Sequence, residues 1–126
     1  MIKVVCAIIE FENKILIAQR SETMSLPLKW EFPGGKVDED ENKEEALARE
    51  IYEELKMKVK VNDALTSVEH HYPNFSITLY PFLCEVKSKE FVKTEHKEIR
   101  WEKKENLHRY DWAEADIPIV EEIGEI

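Results

Sequence analysis

The sequence of 126 residues predicts a mixed domain of the α/β or α+β class, a sheet with helices packed against it. Three observations carry that expectation. Apolar runs of strand length occur early and late in the chain, VVCAII at 4–9 and ITLYPFLCEV at 77–86. Between them, in the stretch Glu41 to Leu55, Leu47, Ile51 and Leu55 return every four residues with Ala46 and Ala48 beside them. That spacing places one apolar stripe on a helix and turns it toward a core. Near the C-terminus, Ala113 to Val120 opens a second helix, with Pro118 suited to the first turn and Asp116 suited to cap it.

In chain order, Val4 to Ile9 reads as a buried strand, and Glu12-Asn13-Lys14 as the turn of a hairpin whose second strand is KILIAQR, ending at Arg20. Ser21 to Lys29 is a loop. Trp30 and Phe32 alternate about Glu31 as in a short strand, which puts both aromatics in a core or a pocket wall. Pro33-Gly34-Gly35 then reads as a loop whose backbone can come close to a ligand or an ion. After the helix, Lys58 to Val61 begins another strand. Ala64 to Tyr72 and Phe75 to Val86 pair around the Tyr72-Pro73-Asn74 corner, and Pro81 predicts an interruption or a bulge in the second of them. Lys87 to Lys93 is a charged turn, Ile99 and Trp101 mark a last strand, and Lys104 to His108 is a short helical link.

A hydrophobic content of 43%, with only three glycines and five prolines, argues for one ordered domain over residues 1–126 that needs no disulfide staples. The net charge is −9, and nine acids lie between Asp38 and Glu54 against Lys43 and Arg49 alone, so most of the excess sits around one helix. That distribution argues against polymeric nucleic acid, which calls for a basic face. It suits small anionic substrates only if metal ions bridge them. Cys6 and Cys84 each lie in an apolar run and read as buried free thiols, with no spacing that suggests zinc. No signal peptide and no apolar run of membrane-spanning length are seen, so a cytoplasmic protein is expected, as monomer or homodimer.

The chemistry is expected in the helix. Glu50, Glu53 and Glu54 stand at i, i+3 and i+4, where three carboxylates share one face. Like charges at that spacing repel by roughly 0.2–0.5 kcal/mol per exposed pair. A hard divalent cation reverses the sign, because carboxylate oxygens are what Mg²⁺ and Mn²⁺ bind. Arg49, four residues after Glu45 and four before Glu53, can hold one carboxylate while the others face a metal. A solvated acidic helix would show the same triad, but not a glycine pair directly in front of it. His70 and His71, as neighbours on a strand, point to opposite faces and cannot both serve one site.

Gly35, Glu41, Arg49, Glu50, Ile51, Glu53, Glu54 and Met57 fall at the spacing of the Nudix box, and the chain resembles the MutT-like and CTP-pyrophosphohydrolase-like branch of that family. One box position departs: the family's glycine is Lys56, which costs about 1 kcal/mol if the left-handed backbone is kept. The resemblance implies an α/β/α sandwich with a central mixed sheet, the acidic helix on one side and the C-terminal helix on the other. It implies a metal-dependent enzyme that hydrolyses a nucleoside triphosphate to the monophosphate and pyrophosphate. The implied Mg²⁺ or Mn²⁺ ligands are Glu50, Glu53, Glu54, the Gly34 carbonyl and Glu95, with Glu98 as the fallback for Glu95. Either Glu50 or Glu53 would orient the attacking water, and Arg49 would order the cluster. Arg20 is either a solvated cation or a phosphate or base contact. Tyr72 is either a core cap or a stacking surface for the base. Lys36 would touch a phosphate if it is not simply exposed, and Asp116 would read the base. The implied substrate is an oxidised purine triphosphate such as 8-oxo-dGTP, with CTP, dCTP or a modified cytidine nucleotide as the rival. A catalytically idle nucleotide-binding module would be expected to lose box carboxylates, and this chain keeps them.

Overall fold

The computed structural model describes residues 1–125. Among them the strands are β1 (Ile2–Phe11), β2 (Lys14–Gln19), β3 (Trp30–Glu31), β4 (Gly34–Lys36), β5 (Lys60–Ala64), β6 (Val68–His71), β7 (Ser76–Glu85) and β8 (Glu98–Lys103). The helices are α1 (Lys43–Leu55) and α2 (Ile117–Glu125), with 3-10 turns at Lys104–Arg109 and Glu114–Asp116.

The sheet is mixed and centred on β1. That strand runs parallel to β7 from Ile2↔Ile77 to Glu10↔Glu85. Its other edge is shared: β4 pairs antiparallel with Val4 to Cys6, and β2 joins at Glu10↔Ile15 and Phe11↔Lys14. The β1–β2 turn places Glu12 and Asn13 at φ 50° and 67°, the paired left-handed conformations that a two-residue hairpin requires. β8 pairs along β2, while β5 and β6 share the far edge of β7.

Alternation along the strands builds two cores. Val5, Ala7, Ile9, Leu16, Ala18, Phe82 and Cys84 pack with Leu47, Ile51 and Leu55 of α1. Cys6, Ile8, Ile15, Ile17, Trp30, Phe32 and Leu79 pack on the opposite face with Ile119 and Ile123 of α2. This is the expected sandwich. It also separates Cys6 from Cys84 by the thickness of the sheet, and both are free and buried.

Five details differ from the sequence expectation. α1 starts at Lys43, because Asn42 caps it by accepting the Glu45 N–H at 2.8 Å, leaving Glu41 outside the helix. Gly34 and Gly35 belong to a strand, not a loop, and no glycine has a positive φ. They are needed for space: a Cβ on Gly34 would lie 1.9 Å from the Val5 carbonyl oxygen. The stretch 64–72 is not one strand, since β5 ends at Ala64 and β6 begins at Val68. Pro81 does not interrupt β7 but pairs with Cys6. On its other side the neighbour changes from Val68 opposite Leu79 to Ala64 opposite Phe82, so the missing N–H falls in a gap between strands. The irregularity lies in β5, between Val61 and Ala64. Asp116 does not cap α2; it is the last residue of the 3-10 turn, and its side chain turns inward.

Lys56 keeps the left-handed exit from α1 at φ 56° and ψ 31°, with its N–H donating to the Tyr52 carbonyl at 3.0 Å. Lys56→Gly is therefore expected to raise stability by about 0.5–1 kcal/mol, the left-handed penalty removed less the extra chain entropy of glycine. Urea unfolding with an unchanged slope checks this, and a loss of stability would mean that the lysine's stem contributes more than its backbone costs.

Candidate active site

A cavity of about 280 Å³ opens where β1, β4 and β7 meet the segment leading into α2. Phe32, Tyr72, Phe75 and Leu79 supply apolar lining, and Arg20, Glu31, Lys36, Glu54, His96 and Asp116 supply the charged and polar groups beside Gly34 and Gly35. Of the residues expected from sequence, Arg20, Gly34, Lys36, Glu54, Tyr72 and Asp116 thus meet at one cavity. Arg49, Glu50, Glu53 and Glu95 do not line it, although Glu50 lies against Gly35 and Arg49 donates to the Lys36 carbonyl at 3.2 Å.

The acidic helix is ordered by Arg49. Its Nε and Nη2 donate to the two oxygens of Glu41 at 2.7 and 2.9 Å. Its Nη1 is shared between Glu50 at 3.0 Å and Glu53 at 3.1 Å, and Asp38 lies 3.4 Å away. Arg49 thus grips several carboxylates where one was expected, and Glu45 is not among them, being bonded to Asn42. The guanidinium, with an N–H donated by Asp38, holds the Glu41 carboxyl down at about 2. Glu50 lies under Gly35: a Cβ there would come within 2.2 Å of Glu50 Oε2. Burial raises the Glu50 pKa despite the neighbouring guanidinium.

Glu54 is the exception to this pairing. Its Oε2 is buried and has no hydrogen-bond partner. Burial, then the charges of Glu31, Glu50 and Glu95, push its pKa to about 8. A buried carboxylate crowded by other acids, which Arg20 offsets only in part, is costly unless it is protonated or a cation joins it. Among the described residues no three carboxylates, imidazoles or thiols converge as a ready-made metal cage. Arg49 accounts for this, since it draws Glu50 and Glu53 to its own side while Glu54 faces the cavity. The donor set, all hard oxygen with one orphaned atom, nonetheless fits a divalent cation.

Elsewhere in the cavity lining, Asp116 is buried and its Oδ2 accepts the Phe32 N–H at 2.9 Å. Burial, reinforced by Glu31, raises its carboxyl well above the usual range. Tyr72 is also buried, its hydroxyl accepting the Ala115 N–H at 2.9 Å and its ring 4.3 Å from that of His70. It is a core residue that also walls the cavity. Arg20 is not a free strand-end cation: it donates to the Ser25 carbonyl at 2.6 Å and to Glu31 at 2.8 Å. Lys36 is exposed at the cavity, and Glu95 and Glu98 are exposed.

Two residues that the sequence does not single out also belong to the site, Glu31 and His96. Glu31 bonds both Arg20 and His96, and His96 is 6% exposed. The pattern Trp30-Glu31-Phe32 held the clue. With both aromatics in the α2-side core, the residue between them must point to the α1 side, toward Glu54.

Residues 4–122 match the NUDIX domain family. The chain belongs to the Nudix hydrolase family. This Nudix chain is 37% identical over 121 residues to the CTP pyrophosphohydrolase of Escherichia coli K12, covering 96% of itself and 90% of that protein. It is 30% identical over 108 residues to the 8-oxo-dGTP diphosphatase of the same organism, covering 86% and 84%. The solution structure of MutT, a Nudix hydrolase from methicillin-resistant Staphylococcus aureus 252, superposes with a TM-score of 0.78 at 48% identity, covering 97% of this chain and 94% of that one. Nudix hydrolases generally use divalent metals. Among the described residues no helix is long and apolar enough to cross a membrane.

Proposed function

We propose that this single Nudix domain is a cytoplasmic, Mg²⁺- or Mn²⁺-dependent nucleoside triphosphate pyrophosphohydrolase that releases a nucleoside monophosphate and pyrophosphate. The observation that carries the proposal is Glu54, a buried carboxylate at a cavity with an unpartnered oxygen and acids on several sides. Glu54, Glu50, Glu53, the Gly34 carbonyl and Glu95 would hold the cations. When bound, such cations neutralise polyphosphate charge and lower the pKa of an attacking water. Arg49 keeps Glu50 and Glu53 in one arrangement. Of the two candidate bases Glu50 is favoured, because it is the more buried and its pKa is raised, so it can take a proton from water more readily than the exposed Glu53. Arg20 and Lys36 place positive charge where phosphates would lie. Tyr72 offers an apolar wall to the base. Asp116, whose carboxyl is raised well above the usual range by burial, offers a carboxyl oxygen to a base edge.

For the base we favour an oxidised purine, as in 8-oxo-dGTP, the substrate named for the diphosphatase relative. A cytidine nucleotide is the second reading. It is supported by the higher identity and coverage of the CTP pyrophosphohydrolase and by the carboxyl group at Asp116. The test is a panel of 8-oxo-dGTP, dGTP, CTP and dCTP at fixed Mg²⁺, read by pyrophosphate release. A preference of at least about tenfold in kcat/KM for 8-oxo-dGTP supports the first reading. The same margin for CTP or dCTP replaces it with the second, and no hydrolysis of any of them overturns the enzyme.

A further inference from the structure

The carboxylate of Glu31 joins two parts of the site that are far apart in the chain. Its Oε1 accepts from Arg20 Nη1 at 2.8 Å, and its Oε2 faces His96 Nε2 at 2.9 Å. Arg20 belongs to the loop after β2, tied to it by the Ser25 carbonyl and hydroxyl. His96 belongs to the segment between β7 and β8 that delivers Glu95. That segment is anchored on both sides of Glu95: the Thr94 hydroxyl donates to the Glu54 carbonyl at 2.9 Å, and His96 reaches Glu31. The next residue is fixed too, with Lys97 N–H donating to the Gln19 carbonyl at 3.0 Å. The His96 side chain is 3% exposed, and its Nδ1 is buried without a partner. The ring therefore spends its one buried polar bond on Glu31. With Nε2 donating, Glu31 has a donor for each oxygen.

We propose that His96 is a positioning residue that fixes Glu31, and through it both the substrate-side Arg20 and the loop carrying Glu95. The assignment rests on the functional reading above. Without the His96 donor, Glu31 keeps only Arg20. The loop loses one of its two ties beside Glu95. Arg20 is then free to swing with a carboxylate that no longer has a fixed seat.

The test compares His96→Leu, which fills similar space without a donor, with His96→Gln, which restores an N–H. Binding of a non-hydrolysable triphosphate analogue and of Mn²⁺ alone is measured by titration, beside KM, kcat and the melting temperature. His96→Leu should weaken analogue binding and raise KM about tenfold, the loss of a hydrogen bond to a charged group, and should weaken Mn²⁺ binding severalfold. His96→Gln should recover most of both losses. In a cycle with Arg20→Ala, the double variant should raise KM little beyond Arg20→Ala alone, because the two act in series. Unchanged binding in a folded His96→Leu, equal losses in the two variants, or additive effects in the cycle overturn the role. If His96→Leu does not fold, Glu31→Gln breaks the same bridge from its other end and is read in the same titrations, with unchanged binding again overturning the role. A wild-type protein that binds analogue and Mn²⁺ but hydrolyses no triphosphate defeats the functional reading alone, since the titrations still report on His96.

Discussion

Glu54→Gln is expected to lower turnover by about 10²–10³-fold while making the metal-free protein more stable at pH 8. The two effects have one cause. In the folded protein the Glu54 carboxyl titrates at about 8, against 4.5 for an unperturbed glutamate. Between those values the folded state holds a proton that the unfolded chain has released. Stability of the metal-free protein therefore falls as pH rises from about 4.5 to about 8, and the full penalty is present above that. Glutamine carries no charge to desolvate, so the part of the slope owed to Glu54 should vanish in the variant, leaving that of the Asp116 and Glu50 carboxyls, with a gain on the order of 5 °C in melting temperature at pH 8. Mg²⁺ or Mn²⁺ should flatten the same slope in the wild type and do little to the variant. Thermal unfolding at pH 5 and pH 8, with and without metal, checks this beside a pyrophosphate assay. Turnover near the wild-type rate would remove the metal role of Glu54. A variant less stable than wild type at pH 8 would show that its carboxylate is compensated after all.

Gly34→Ala and Gly35→Ala should fail in different ways, although the residues are adjacent. At Gly34 an added Cβ would meet backbone, 1.9 Å from the Val5 carbonyl oxygen and 2.7 Å from Cys6 Cα. Neither atom can move without parting β4 from β1, so a loss of about 3 kcal/mol or more, or no soluble protein, is expected. At Gly35 the added carbon would meet the Glu50 side chain, 2.2 Å from Oε2. A side chain can rotate away, so Gly35→Ala should fold and lose about 1 kcal/mol or less. Its activity should drop by about 10–100-fold, because Glu50 leaves the place in which Arg49 holds it. Chemical unfolding and turnover on both variants decide the matter. Similar losses of stability at the two positions would mean that the second glycine serves the strand and not the carboxylate.

The strands most legible in the sequence are those buried on both faces. β1 and β7 show continuous apolar runs because each side of the sheet is covered by a helix. α1 was legible from its four-residue spacing, although its start was not. Glu41 is compatible with a helix by composition, and only the Asn42 cap shows that it folds back onto Arg49. Gly34 and Gly35 misled because glycine in a sequence signals conformational freedom, whereas here it signals lack of room. Asp116 before Ile117-Pro118 has the local pattern of a cap, but its partner is the N–H of Phe32, which nothing in its own neighbourhood reveals. The same holds for Glu31 and His96, 65 residues apart, whose bond exists only once β3 and the segment before β8 are brought together. Residues that act through near neighbours could be read from the chain. Those that act through distant contacts could not.

The pairing of β1 with β7 governs how a nascent chain acquires its structure. Ile2 must wait for Ile77, and Glu10 for Glu85, before the parallel ladder can close. The β1–β2 hairpin can form early on the ribosome, but it leaves one edge of an apolar strand uncovered until most of the polypeptide has been made. Loop-closure entropy delays that step further, so folding slower than that of a chain with local contacts alone is expected, with the open edge of β1 exposed to self-association in the meantime.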